Sequence, residues 1–279
     1  MILFKMAKSL SGYLSQKKNE GIKTGFVPTM GALHQGHLSL IHVAKQENDL
    51  TVCSIFVNPT QFNNPDDFRH YPVTLERDIE KLLSAGCDVL FLPSTGEIYP
   101  SSFAPKQYPL GELENILEGF YRPGHYQGVC QVVDRLLEIV QPDNIYLGAK
   151  DYQQCKVIAK LLQLLGKENE ILIHIEPTLR EPDGLAMSSR NLRLTTDQRE
   201  QAPVLYNVLK AIKEKQDLAE AQLLSQGVAQ LQEKGFVVDY LQIADADSLL
   251  PVSDKTRQSI VLVAASIGNI RLIDNLLLN

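Results

Sequence analysis

Short apolar runs alternate with amphipathic helical patterns through the first two-thirds of the chain, and few folds are compatible with that alternation. A short run that is apolar at nearly every position suits a strand buried on both faces, whereas a surface helix presents one apolar stripe. Strands that take turns with helices pair in parallel, because each helix carries the chain back across the sheet before the next strand begins. The expected strands are 22–27, 51–57, 88–92, 144–147 and 171–175, and the expected helices are 38–47, 75–85, 129–140 and 152–165. The fold class is therefore α/β, a Rossmann-like doubly wound parallel sheet. Two long irregular stretches, 58–73 and 93–127, follow strands, where the ligand-binding loops of open α/β sheets gather.

After Glu176 the pattern changes. Pro177, Pro182 and Gly184 interrupt the chain, two helices are expected at 196–215 and 218–234, and three strand-like runs follow at 237–243, 260–265 and 270–273. Their spacing predicts an antiparallel meander in a smaller α+β unit. Two domains are expected, 1–176 and 177–279.

The chain has 279 residues, enough for this division, and its 44% hydrophobic and 22% charged content is that of an ordinary globular protein. A net charge of −6 opposes broad attraction to nucleic-acid backbones. Cys53, Cys87, Cys130 and Cys155 lie far apart without a Cys-x-x-Cys pair, and read as buried thiols of a reducing compartment. Lysines interrupt the apolar positions of the N-terminus, and no apolar run reaches membrane-spanning length, so a cytoplasmic protein without a membrane partner is expected.

Four segments carry chemistry. Met30-Gly-Ala-Leu-His-Gln-Gly-His37 joins an expected strand to an expected helix, so its turn exposes N–H groups that favour anions, with Gly31 and Gly36 permitting close approach. His34 and His37 can donate to phosphate oxygens there. A His-x-x-His pair alone is also compatible with a decorated turn or a zinc site, although no third zinc ligand lies near in sequence. Met187-Ser-Ser-Arg190 supplies two hydroxyls and a guanidinium, donors suited to a triphosphate, or else an ordinary polar loop. Gly148-Ala-Lys-Asp151 ends a strand and opens a helix: Asp151 suits an N-cap, and Lys150 is either a cation facing the usual ligand crevice or an exposed surface lysine. Gln61 in Asn58-Pro-Thr-Gln61 and Gln154 are amides that suit a substrate with hydroxyl and carboxylate groups, or else are solvent-exposed, and Arg122-Pro-Gly-His125 is a comparable loop or a plain turn.

Read in order, PTMGALHQGH at 28–37, VNPTQF at 57–62, RPGHYQGV at 122–129, GAKDYQQ at 148–154 and DGLAMSSRN at 183–191 resemble the pantothenate synthetase (pantoate–β-alanine ligase) family of the nucleotidyltransferase superfamily, with RLIDN at 271–275 a further echo. That resemblance implies ATP-dependent formation of pantoyl adenylate and its aminolysis by β-alanine, with Mg2+ accompanying ATP and the enzyme acting as a homodimer. Carried onto this chain, it implies an ATP site of Met30, Gly31, Ala32, Leu33, His34, Gln35, Gly36, His37, Gly148, Ala149, Lys150, Asp151, Leu179, Met187, Ser188, Ser189 and Arg190. Within that set His37 is the proton donor, assisted by His34, Lys150, Ser188, Ser189 and Arg190. Gln61, Gln154, Asn58 and Arg122 would bind the organic substrates, and the metal ligands are not assigned. Ala149 and Leu179 depart from the family's usual Glu and Val or Ile. The C-terminal domain is expected to act as a lid, bringing Arg190 onto the phosphates when ATP binds. A nucleotidyltransferase that releases its adenylylated product is the alternative, separable by β-alanine-dependent release of AMP.

Overall fold

The computed structural model describes residues 1–215, 218–254 and 256–279. Its strands β1 (Ile2–Phe4), β2 (Thr24–Thr29), β3 (Leu50–Ile55), β4 (Val89–Phe91), β5 (Asn144–Gly148) and β6 (Leu172–Glu176) form one sheet in the order β1-β4-β3-β2-β5-β6, every pairing parallel. Between them run α1 (Ala7–Asn19), α2 (Gln35–Glu47), α3 (Pro65–Arg69), α4 (Leu75–Ser84), α5 (Thr95–Ile98), α6 (Leu117–Tyr121), α7 (His125–Val140) and α8 (Tyr152–Leu164). Alternate strand residues face opposite cores. Phe26, Val52, Phe91 and Ile145 pack with α1, α7 and α8, while Val27, Cys53, Leu90 and Tyr146 pack with α2 and α4.

The expected strands and helices of this domain all form, with ends shifted by a few residues. β1 and α1 are not predicted by the sequence pattern: the strand is too short to show a period, and α1 buries only Leu10 and Leu14. Helix α7 starts at His125 rather than 129, because its first turn is buried on every side and shows no amphipathic stripe.

The C-terminal region holds α9 (Thr196–Gln201), α10 (Val204–Glu214) and α11 (Glu220–Glu233) against an antiparallel meander of β7 (Phe236–Asp245), β8 (Ser259–Ile267) and β9 (Ile270–Leu277). The single helix expected at 196–215 is two helices, separated at Ala202-Pro203; proline has no N–H for the helical ladder. Leu117 of α6 packs into a cluster with Ala244, Ala246, Leu249, Ile260 and Leu262, joining the two parts.

Glu118, 5% exposed, is the polar centre of that junction. It accepts two hydrogen bonds of 2.7 Å from Arg271 and one of 2.9 Å from Tyr240, and Arg122 approaches to 3.6 Å. Burial works against its charge, but Arg271 outweighs burial and holds the carboxyl at about 2. Glu118→Ala is expected to cost about 3 kcal/mol, the low end for breaking a buried pair, since Arg271 keeps Asp239 and some water. Urea denaturation measures the loss; a change under about 0.5 kcal/mol, the size of an ordinary surface substitution, contradicts the assigned role.

Candidate active site

The site opens where the sheet changes direction. After β2 the chain moves outward through β3 and β4, then returns to place β5 on the other side of β2, which makes a crevice at the C-terminal ends of β2 and β5. Pro28 widens it. The carbonyl of Thr24 faces the β5 side, where it accepts from Asp143, so the alternate positions 26 and 28 face that side too. Proline has no N–H to offer, and β2 pairs with β5 only at Gly25 and Phe26, whereas its pairing with β3 continues to Thr29.

Beyond β2 the chain turns through Gly31 (φ 81) and Ala32 (φ 48) into α2. A Cβ on Gly31 would lie 3.0 Å from Ile55, so the residue is constrained by space as well as by φ. The turn is held from below. Gly31 N–H donates to Thr29 Oγ1 at 3.2 Å, and the N–H groups of Ala32 and Leu33 both donate to Asp78 at 2.8 Å. From the same face of α4, Lys81 Nζ donates to the Leu33 carbonyl at 2.5 Å. Most N–H groups expected to meet an anion are thus already engaged; those of Gln35 and Gly36, in the first turn of α2, have no partner among the described residues.

His34 and His37 sit over that turn with ring centroids 4.0 Å apart. Gly36 makes room: a Cβ there would be 2.9 Å from His34 Nδ1. The N–H of His34 donates to His37 Nδ1 at 3.3 Å, which leaves the proton of the neutral His37 ring on Nε2. Burial, with His37 and Lys150 nearby, pushes His34 down to about 2; burial, aided by Lys150 and opposed by Asp151, pushes His37 down to about 4. At neutral pH both are uncharged, and among the described residues His34 Nδ1 is buried without a hydrogen-bond partner. They act as dipolar donors, and positive charge comes from Lys150 and Arg190.

Lys150 lies just past β5, with a long 3.5 Å contact to Asp151. Arg190 pairs with Asp67 at 2.8 Å, and Arg193 with the same carboxylate at 2.6 Å. Arg190 lines the crevice, its guanidinium held by Asp67. Ser189 donates to the Ala32 carbonyl at 3.0 Å, and Ser188 accepts from Arg190 N–H. The Ser189 hydroxyl therefore fastens the Ser-Ser-Arg segment to the turn, while that of Ser188 caps the segment's own backbone.

On the opposite wall, Asn58 donates to Gln61 Oε1 and to the Gly128 carbonyl, each at 3.1 Å, and His125 Nδ1 lies 2.8 Å from the Gln61 carbonyl. Gly128 allows this packing, since a Cβ would fall 2.3 Å from the Thr60 carbonyl. The Gln61 Nε2 faces Met30 Sδ at 3.1 Å, a weak acceptor.

A cavity of about 210 Å³ brings together Met30, His34, Gly36, His37, Asn58 and Gln61 with Gly148, Lys150, Asp151, Gln154, Leu179, Met187, Ser188, Ser189 and Arg190. A second cavity, about 590 Å³, meets it at Lys150, Asp151, Ser188 and Arg190 and adds Arg122, Arg193 and Arg271. Six expected residues lie outside the smaller cavity's lining, Ala149 among them: Leu33 is core, Gly31 and Ala32 form the back of the turn, Gln35 is exposed, and Arg122 lines the larger cavity. Ala149 also contributes backbone rather than a lining side chain. Sequence reasoning missed Asp67, Asp78, Lys81 and Glu118. Asp78 had a signal, a carboxylate three residues after Leu75 and four before Leu82 on the apolar stripe of α4; Asp67 and Glu118 had none.

A parallel sheet whose switch-point crevice gathers two imidazoles, a lysine and an arginine has the donor set that suits polyphosphate-bearing ligands. The family model described as pantoate-beta-alanine ligase matches residues 2–277, and the chain belongs to that family. It is similar to pantothenate synthetase from Thermus thermophilus, at 43% identity over 99% of each chain with a TM-score of 0.92. It is also similar to pantoate-beta-alanine ligase from Francisella tularensis, solved with beta-gamma ATP and beta-alanine, at 40% identity over 99% of this chain and 97% of that one, TM-score 0.85.

His125 joins the two site imidazoles as a buried neutral ring, pushed down to about 3 by burial and Arg122. In all three the folded value lies below the unfolded value of about 6.5, so the unfolded chain takes up protons first. Their contribution is complete above about pH 6.5 and is lost as pH falls toward the folded values. The urea midpoint is expected to decline steadily from about pH 7.5 to about pH 5, and His125→Asn, whose amide can replace the Nδ1 donor, should make that decline shallower. Parallel pH profiles for the two proteins would contradict the buried-neutral assignment.

Proposed function

We propose that this chain condenses (R)-pantoate with β-alanine at the expense of ATP, forming pantothenate, AMP and diphosphate through pantoyl adenylate. The observation that carries this reading is one cavity in which two neutral amides, Gln61 and Gln154, face the imidazole pair, Lys150 and Arg190. Amides that both donate and accept suit a small acid bearing hydroxyls, and Phe56, Val129 and Val133 in the same lining suit its methyl groups. The pantoate carboxylate oxygen attacks the α-phosphorus, and the bond to the bridging oxygen of the leaving diphosphate breaks. His37 Nε2–H donates to the phosphate oxygens on which charge builds, while Lys150 and Arg190 neutralise the leaving diphosphate. The amine of β-alanine then attacks the acyl carbon, AMP leaves with its electron pair, and the amine gives up its proton.

β-Alanine is held from the larger cavity, where Arg122 is available to its carboxylate because the neighbouring Glu118 is occupied by Arg271. Mg2+ fits the donor set. Asp78 and Asp67 are committed to N–H groups and guanidiniums, which leaves Asp151 as a lining carboxylate with only a long contact to Lys150 among the described residues. One carboxylate together with phosphate oxygens is the usual way this cation is held, and it would supply further charge neutralisation. Residues 177–279 form the second domain and cover the nucleotide from the Met187–Arg190 side. The enzyme acts as a cytoplasmic homodimer, in keeping with its four buried free thiols.

Purified protein given ATP, Mg2+, pantoate and β-alanine is expected to yield pantothenate by mass spectrometry, with AMP released only when β-alanine is present. Accumulation of an adenylylated product instead would favour the nucleotidyltransferase reading. His37→Ala should slow single-turnover adenylate formation about 10²–10³-fold, the range for losing a positioned donor. An unchanged rate removes His37 from the mechanism. Arg122→Leu should raise the KM for β-alanine at least about tenfold, the loss of one charge-assisted pair, while adenylate formation stays near that of the unsubstituted protein. The opposite split would place Arg122 on pantoate or ATP.

A further inference from the structure

Beyond Arg271, the RLIDN segment of β9 has no part in the chemistry above, yet its Asp274 and Asn275 side chains reach the site's framework. Asn275, 7% exposed, donates through Nδ2 to the carbonyls of both Ala149 and Lys150, each at 2.9 Å. Asp274 is 4% exposed and takes Arg180 in a two-pronged pair at 2.6 and 2.9 Å. Arg180 in turn donates to the carbonyls of Gly184 at 3.1 Å and Asn275 at 3.2 Å, and its guanidinium stacks 3.8 Å from the Tyr206 ring centre. Two adjacent residues of the C-terminal sheet thus hold the backbone under Lys150 and the turn leading to Met187–Arg190.

Lys150 needs such support. Its long side chain carries a point charge and, among the described residues, is fixed at its end by no more than the 3.5 Å approach to Asp151, so its location depends on the backbone it leaves from. Asn275 supplies two N–H donors from a neighbouring domain to successive carbonyls there, and Asp274 orients Asn275 by accepting its backbone N–H at 2.8 Å.

We propose that Asn275, set by the Asp274–Arg180 pair, is a positioning residue for Lys150, so that docking of the C-terminal sheet fixes the cation at the phosphate site. The proposal rests on the reading of this crevice as an ATP site. A double-mutant cycle tests it: ATP affinity with Mg2+ is measured by calorimetry for the unsubstituted protein, Asn275→Leu, Lys150→Ala and the double variant. Leucine fills the same space without donors, and thermal melting reports whether the fold survives. Asn275→Leu should weaken ATP binding about tenfold, as expected when a charged contact is displaced, and should add less than about twofold in the Lys150→Ala background. Asn275→Ser, which keeps one hydroxyl donor at smaller volume, should fall between the two.

Equal losses from Asn275→Leu in both backgrounds, or full ATP affinity in the folded single variant, overturn the proposal. If Asn275→Leu does not fold, the serine variant decides by the same cycle. Adenylate formation by the unsubstituted protein is measured alongside. Its absence with intact ATP binding defeats the ligase reading while leaving the cycle on Asn275 to be judged by affinity alone.

Discussion

The carboxylate of Asp78 is the constraint on which the site depends. It accepts the N–H groups of Ala32 and Leu33 at 2.8 Å each and so fixes the turn between β2 and α2. That turn includes Ala32 at a positive φ, a conformation that costs a non-glycine residue roughly 1–2 kcal/mol. Two charge-assisted hydrogen bonds, each contributing about 1.5–3 kcal/mol, outweigh it. With the turn fixed, Gly36 lines the crevice with its N–H unengaged among the described residues, His34 folds over it, and Ser189 finds the Ala32 carbonyl. A buried anion directly behind an anion site is an electrostatic cost, and Lys81, on the same helix, lies close enough to bind Leu33 and offset it.

The architecture was legible because its signals are periodic. Continuous apolar runs such as those around Phe26 and Cys53 place residues on both faces of a central strand, and only a sheet covered twice accommodates them. The antiparallel meander was legible for the same reason. What stayed hidden is local or relational. The break at Pro203 is one residue in an otherwise helical pattern, and β1 is too short for any period.

At the site, His34, His37, Lys150 and Arg190 stood out because each follows a strand or a chain break, where a polar residue has no core to serve. The residues that hold them did not. Asp67 acts on Arg190 from a different loop, and Asn275 acts on Lys150 across 125 positions of sequence, a relation that no local spacing encodes. The engaged state of the loop N–H groups was hidden for the same reason: glycine and turn chemistry reveal that donors exist, and only the packed helix α4 reveals that Asp78 consumes two of them.

These contacts divide the electrostatic work of the crevice. Half-buried imidazoles held at about 2 and about 4 carry no charge at neutral pH, so they do not attract an anion over distance. Lys150 and Arg190 do, and both are held in place by protein partners: Lys150 through its backbone by Asn275, and Arg190 through its side chain by Asp67. In the proposed reaction Arg190 would exchange Asp67 for phosphate, which moderates the gain from binding, whereas Lys150 would give up only a long contact with Asp151. The histidines enter when negative charge accumulates near them, because that charge raises the proton affinity that burial has lowered. In the proposed reaction, a neutral His37 with its proton on Nε2 would therefore match a transition state better than a resting ligand: its donor would strengthen as charge develops on a phosphate held within reach by Lys150 and Arg190.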